Sequence, residues 1–278
     1  MLNSILVPID SSVHSRAALE HTADLGRAYR ARVTGLHVLD IRYLEMPPYL
    51  DYSYTFEAMP PTIAPVEVME KFRVRSERLL NDFREAVERA GLAVETRAEE
   101  GVPGQVIADI GAAHDLIVMG KRGEHAKWGR DLLGSTAESV IRHSATPVFV
   151  VEAKSRQLKS ALVLFDGSHP ANRALKLAAD LAFRSHLALR VLTVDDDAGR
   201  GEATQGEAKS YLQPLGLRAT YRVAPGRTAK VASSALEDDP ADMVILGRRG
   251  HSALHDLILG STAEHLLRSL ALPILLVP

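Results

Sequence analysis

The chain carries the same segment twice, and that repeat constrains its fold more than any other feature. The first copy reads DLIVMGKRGEHAKWGRDLLGSTAESVIRHSATPVFVV from Asp115 to Val151; the second reads DMVILGRRGHSALHDLILGSTAEHLLRSLALPILLV from Asp242 to Val277. Each has an apolar strand, Gly-x-x-Gly, a polar loop, Gly-Ser-Thr, a helix and a closing strand. Self-similarity at this scale predicts two copies of one structural unit, and 278 residues suit about two domains at roughly 100–200 residues each. Gly134 and Gly260 are 126 residues apart, whereas Gly120 and Gly247 are 127 apart, so the first loop holds one extra residue. Upstream, Ile5–Ser12 (ILVPIDSS) matches Leu162–Ser168 (LVLFDGS), which aligns Asp10 with Asp166.

Hydrophobic period gives the elements. In the first copy strands are expected near 4–9, 33–38, 93–98, 115–119 and 147–151, with helices near 14–30, 66–90, 103–113 and 135–143. In the second, strands are expected near 160–165, 187–194, 217–223, 242–246 and 273–277, with helices near 170–184, 203–213, 227–238 and 261–270. Met69, Phe72, Leu79, Leu80, Phe83 and Val87 recur at helical steps until Gly91. The strands are short apolar runs such as LIVM and VFVV, suited to parallel strands covered on both faces. Alternating strands and helices predict an α/β fold with doubly wound parallel sheets. The domains are expected at 1–153 and 159–278, joined by a polar linker near 154–159. The final strands VFVV and ILLV are candidates to pair with each other and hide an edge.

The first copy also carries an insert at 40–65 with five prolines and four of the seven tyrosines (Tyr43, Tyr49, Tyr52, Tyr54). It reads either as a loop packed on its own domain or as a lid or protein-partner surface.

Composition narrows the function classes. Formal net charge is -2, with 46% hydrophobic and 24% charged residues, so bulk nucleic-acid or anionic-membrane binding is not expected. There is no cysteine, which excludes disulfides and thiol catalysis and fits a cytoplasmic location. The N-terminal sequence lacks the basic region of a signal peptide, and no apolar run approaches the ~20 residues of a membrane span.

The glycine loops suit phosphate. Glycines allow positive φ and close backbone approach, successive amides form an anion nest, and a helix N-terminus offers free amides and a positive dipole end. Ser135 and Thr136, and Ser261 and Thr262, add hydroxyl donors. Asp10 and Asp166 follow the first strand of each copy; a carboxylate there either meets donors at the nucleoside end or caps the following turn. The usual P-loop and dinucleotide glycine patterns are absent.

With these residues in view, both copies resemble the universal stress protein domain, whose ATP-binding members carry Gly-2x-Gly-9x-Gly-Ser/Thr. The resemblance covers nearly the whole chain, as a tandem member. Gly247, Gly250, Gly260 and Ser261 match with nine intervening residues; Gly120, Gly123, Gly134 and Ser135 leave ten. The resemblance implies two five-stranded sheets of order 3-2-1-4-5, of the adenine nucleotide alpha hydrolase-like type. It implies ATP or AMP as ligand, with Mg accompanying ATP, and a stress-response role. It assigns adenine contacts to the backbone of Val38 and Val194 and adds His251 to the loop positions. It also implies edge-to-edge pairing of domains and leaves room for a homodimer. By spacing, the second loop is the safer nucleotide site. Lys121, Arg122, Arg248 and Arg249 either neutralise phosphate or are solvated. His251, His255 and Asp256 read as a solvated loop before a metal site, Trp128 as loop packing, and Gly129 as the residue that absorbs the insertion. No nucleophile–base pair stands out, so a slow ATPase and a nucleotide-independent interaction module are the alternatives to a nucleotide-binding signalling protein.

Overall fold

The computed structural model describes residues 2–43, 65–124, 133–248 and 259–278. The first half contains β1 (Ser4–Pro8), α1 (Val13–Tyr29), β2 (Arg32–Asp40), α2 (Pro65–Arg89), β3 (Val94–Gly101), α3 (Pro103–Gly111), β4 (Leu116–Gly120), α4 (Ser135–His143) and β5 (Val148–Val151). The second contains β6 (Ser160–Leu164), α5 (His169–Ser185), β7 (Ala188–Val194), α6 (Ala198–Leu212), β8 (Ala219–Ala224), α7 (Thr228–Asp238), β9 (Met243–Gly247), α8 (Ser261–Ser269) and β10 (Ile274–Val277). Most of the Tyr/Pro insert lies outside the described residues, as do Trp128, Gly129 and His255.

The helix boundaries have local causes that repeat between the halves. Ser12 and Ser168 cap α1 and α5, their hydroxyls accepting from the amides of Ser15 (3.0 Å) and Ala171 (3.3 Å). The same two helices end at Arg30 and His186, each with φ above +50°. One expectation is corrected: α6 begins at Ala198, five residues before the predicted start. Gly199 and Gly201 weaken the helical pattern there, but Asp197 caps the helix by accepting from the Arg200 amide at 3.0 Å.

The strands form one ten-stranded sheet in the order β3-β2-β1-β4-β5-β10-β9-β6-β7-β8. Each half has the order 3-2-1-4-5, with parallel strands throughout. The halves meet where β5 and β10 pair antiparallel, with Phe149 opposite Leu275. Val148–Val151 and Ile274–Val277 are all buried, so this seam is covered on both faces and leaves neither strand as an open edge. Apolar clusters on the two faces of the sheet each run through both halves. One joins Leu25 and Phe149 to Leu175 and Leu275; the other joins Ile107 and Val140 to Leu236 and Leu266.

Candidate functional site

A cleft of about 380 Å³ opens at the carboxyl ends of β1, β2 and β4, the switch point of the first sheet. Its size falls in the range of ~300–1,000 Å³ usual for small-molecule sites. The predicted residues Asp10, Val38, Gly120, Gly123, Gly134, Ser135 and Thr136 all line it. They come from strand ends and a helix start separated by up to 126 residues of sequence, and the parallel sheet brings them together.

The floor of the cleft is the start of α4. Gly134 is its N-cap and supplies no side-chain cap bond, and Ser135 and Thr136 of its first turn line the opening. α8 begins the same way at Gly260, followed by Ser261 and Thr262. The two loops also close alike. The Gly134 amide donates to the Lys121 carbonyl (3.0 Å) and the Gly260 amide to that of Arg248 (3.1 Å). The extra residue of the first loop therefore leaves both of its ends in place.

The glycines have a different reason from the one expected. Gly120, Gly123, Gly134, Gly247 and Gly260 are not among the residues of positive φ. Close approach explains them instead. A Cβ on Gly120 would lie 2.5 Å from His14 Cβ, and one on Gly247 would lie 2.9 Å from the amide of Ala171, so both let a helix start cross the strand end. A Cβ on Gly123 would lie 2.9 Å from Asp10 Oδ2, which is where the loop accommodates that carboxylate.

The Asp10 carboxylate takes part in the turn before α1 and in the glycine loop. Its Oδ1 accepts from the Ser12 amide (2.9 Å) and its Oδ2 from the Glu124 amide (3.1 Å). Asp166 repeats the first contact, accepting from the Ser168 amide at 3.0 Å. Val194 ends β7 and Gly247 ends β9, on the same edge of the second sheet. Gly250, His251, Arg249 and Asp256 lie outside the described residues.

Two of the loop cations do neither thing expected of them. Lys121 is buried; its ammonium pairs with Glu152 (2.7 Å) and donates across the seam to the carbonyl of Leu270 at the end of α8 (3.0 Å). Arg248, its counterpart, donates across the seam to the carbonyls of Ile141 (2.9 Å) and Ser144 (2.5 Å) at the end of α4. Each cation thus sits at the negative end of the other half's helix, a favourable placement. Arg122 lines the cleft.

The cleft also contains residues that the glycine-loop reasoning missed. Phe72 and Arg75 of α2 form one wall. Arg75 pairs with Glu124 and donates to the Ser11 hydroxyl at 3.0 Å. Behind them His37 Nδ1 is 2.6 Å from the hydroxyl of Ser76. Burial pushes the His37 pKa down, with Arg75 in the same direction and Glu124 and Asp10 opposing. The Arg42 guanidinium, which also lines the cleft, donates two hydrogen bonds to Asp40, at 2.8 and 2.5 Å, and the Arg42 amide a third at 3.1 Å. A signal existed for α2: Ser76 interrupts the apolar stripe Phe72–Leu80–Phe83, and a polar group on a buried stripe needs a partner.

Among the described residues no three His, Cys, Asp or Glu side chains stand together to hold a metal, and no helix is long and apolar enough to cross a membrane.

The universal stress protein family model matches residues 1–152 and 158–278. A universal stress protein of Synechocystis is 25% identical, covering 99% of each chain. Another, from Mycolicibacterium smegmatis, is 26% identical over 98% of this chain and 96% of its own. The crystal structure of a universal stress protein from Archaeoglobus fulgidus superposes with a TM-score of 0.79 at 25% identity, covering 100% of this chain and 98% of that one. With a family model matching each half, a shared fold and relatives aligned end to end, this chain belongs to the universal stress protein family as a tandem member.

Proposed function

We propose that the chain is a cytoplasmic adenine-nucleotide-binding protein of stress signalling, with domains at 1–153 and 159–278 and one site in each. The observation that carries this reading is the cleft of about 380 Å³ over α4, lined by the first turn of that helix with Ser135 and Thr136 and an N-cap glycine that makes no side-chain bond. Such a helix start holds a phosphate. The strand ends beside it, at Val38 and Asp10, offer backbone groups and a carboxylate to the donors of a nucleoside. The second site uses Asp166, Val194, Gly247, Gly250, His251, Gly260, Ser261 and Thr262 in the matching roles. ATP and AMP are the ligands. Mg arrives with the phosphates of ATP, since no clustered protein ligands await it among the described residues.

The test is mass spectrometry of small molecules released from natively purified protein, repeated on Ser135→Asp/Ser261→Asp. Aspartate suits the first turn of a helix and so spares the fold, while it repels phosphate. Adenine nucleotide released from the wild type and absent from the double variant is the expected result. Equal release from both, or no release from the wild type together with no binding of added AMP or ATP, contradicts the reading.

A further inference from the structure

We propose that Glu124 makes the first cleft select adenine nucleotides with one phosphate over triphosphates; this rests on the nucleotide reading above. Glu124 directly follows Gly123 in the glycine loop, where a phosphate chain would run. A Cβ on Gly134 would lie 3.6 Å from the amide nitrogen of Gly123, so Glu124 adjoins the start of α4. Any phosphate chain extending from Ser135 along this loop meets its carboxylate.

That carboxylate already engages the donors a distal phosphate would need. It pairs with the Arg75 guanidinium and accepts from the Ser11 hydroxyl at 2.6 Å. Its own backbone amide, which a bare glycine loop would offer to an anion, donates to Asp10 at 3.1 Å. The α4 start remains, and it serves a single phosphate. A triphosphate must either displace Glu124 from Arg75 and Ser11 or lie against its negative charge. The pair is partly sheltered, with 33% and 23% of the side chains exposed, so solvent screens the repulsion less than at an open surface.

The sequence of the second half differs at these positions. Gly167 replaces Ser11, the α6 side chains nearest it are Thr204 and Glu207, and the residue after Gly250 is His251. No arginine–carboxylate pair is encoded at these positions, so the second site lacks this particular bar to a triphosphate.

Calorimetry on the full chain tests this, with Ser261→Asp closing the second loop. AMP is expected to bind at least about tenfold more tightly than ATP, and Glu124→Gln is expected to shrink that ratio by about tenfold, mostly through tighter ATP binding. Arg75→Gln, which leaves Glu124 uncompensated, is expected to widen the ratio. ATP binding as tightly as AMP overturns the proposal without any variant, and so does a ratio that Glu124→Gln leaves unchanged. Binding of neither nucleotide to this variant overturns both the selectivity and the first-cleft part of the nucleotide reading; equal binding of both overturns the selectivity alone.

Discussion

Lys121 and Arg248 stand at the same position in the two halves, one residue past the glycine that ends β4 or β9, and both reach across the seam to a helix end. Arg75 and Glu124 have no such twins. The comparison separates what duplication keeps from what it lets drift. Contacts that join the halves are copied, because each depends on the other half having the same shape. Contacts over the cleft touch only their own half and a ligand, so they are free to differ. The first half adds a buried histidine–serine pair and an arginine–carboxylate pair beside the phosphate-type loop. Among the described residues the second keeps the loop ends and the helix start without them.

If the halves divide ligands in this way, single charges placed at the two helix starts should have opposite effects. Ser135→Asp is expected to lower AMP binding by ~100-fold or more and leave most ATP binding, and Ser261→Asp to do the reverse, since charge at an anion site costs several kcal/mol. Titration of each variant with both nucleotides reads this directly. Parallel losses in the two variants would erase the proposed division.

The shared seam is tested by stability. Lys121→Met strips the half-buried Glu152 of its cation and the Leu270 carbonyl of a donor, at an expected cost of about 2–3 kcal/mol. Arg248→Met loses the two charge-assisted contacts to the Ile141 and Ser144 carbonyls, at about 2 kcal/mol. Urea denaturation compares them; costs under about 0.5 kcal/mol for both would mean the crossing contacts do little.

Acid should weaken the first half. His14, His21 and His37 all have pKa values lowered chiefly by burial. The unfolded chain therefore binds more protons than the folded one between their folded values and about 6.5, and stability falls as pH falls through that window. Thermal melts between pH 7.5 and 5.5 should show the decline, reduced in His37→Asn. The smallest expected effect is on Arg75→Gln. Its partly exposed ion pair contributes only about 0.5 kcal/mol to folding, so any large change in ligand selectivity is not a folding defect.

Much of this architecture was legible in the chain. The repeat and its apolar runs pointed to two α/β units and to VFVV and ILLV as partners, because burial on both faces leaves an unmistakable pattern. Strand order came from the family resemblance, not from periodicity. The start of α6 was misjudged because Gly199 and Gly201 obscured a helix that Asp197 caps. Asp10, Val38 and Gly120 line one cleft, since the topology places strand ends together. The roles of Lys121 and Arg248 were not legible, because their partners are carbonyls in the other half. Arg75 escaped for a similar reason: it lies 49 residues from Glu124 in sequence, on a helix whose apolar stripe drew attention to packing.

A crystal structure of the full chain grown with AMP tests the central claim most directly. The nucleotide should lie in the first cleft, its phosphate on the amides and hydroxyls of Ser135 and Thr136 and its base at the backbone of Val38. An empty first cleft at saturating AMP, or AMP bound only outside the two glycine-loop sites, would contradict it.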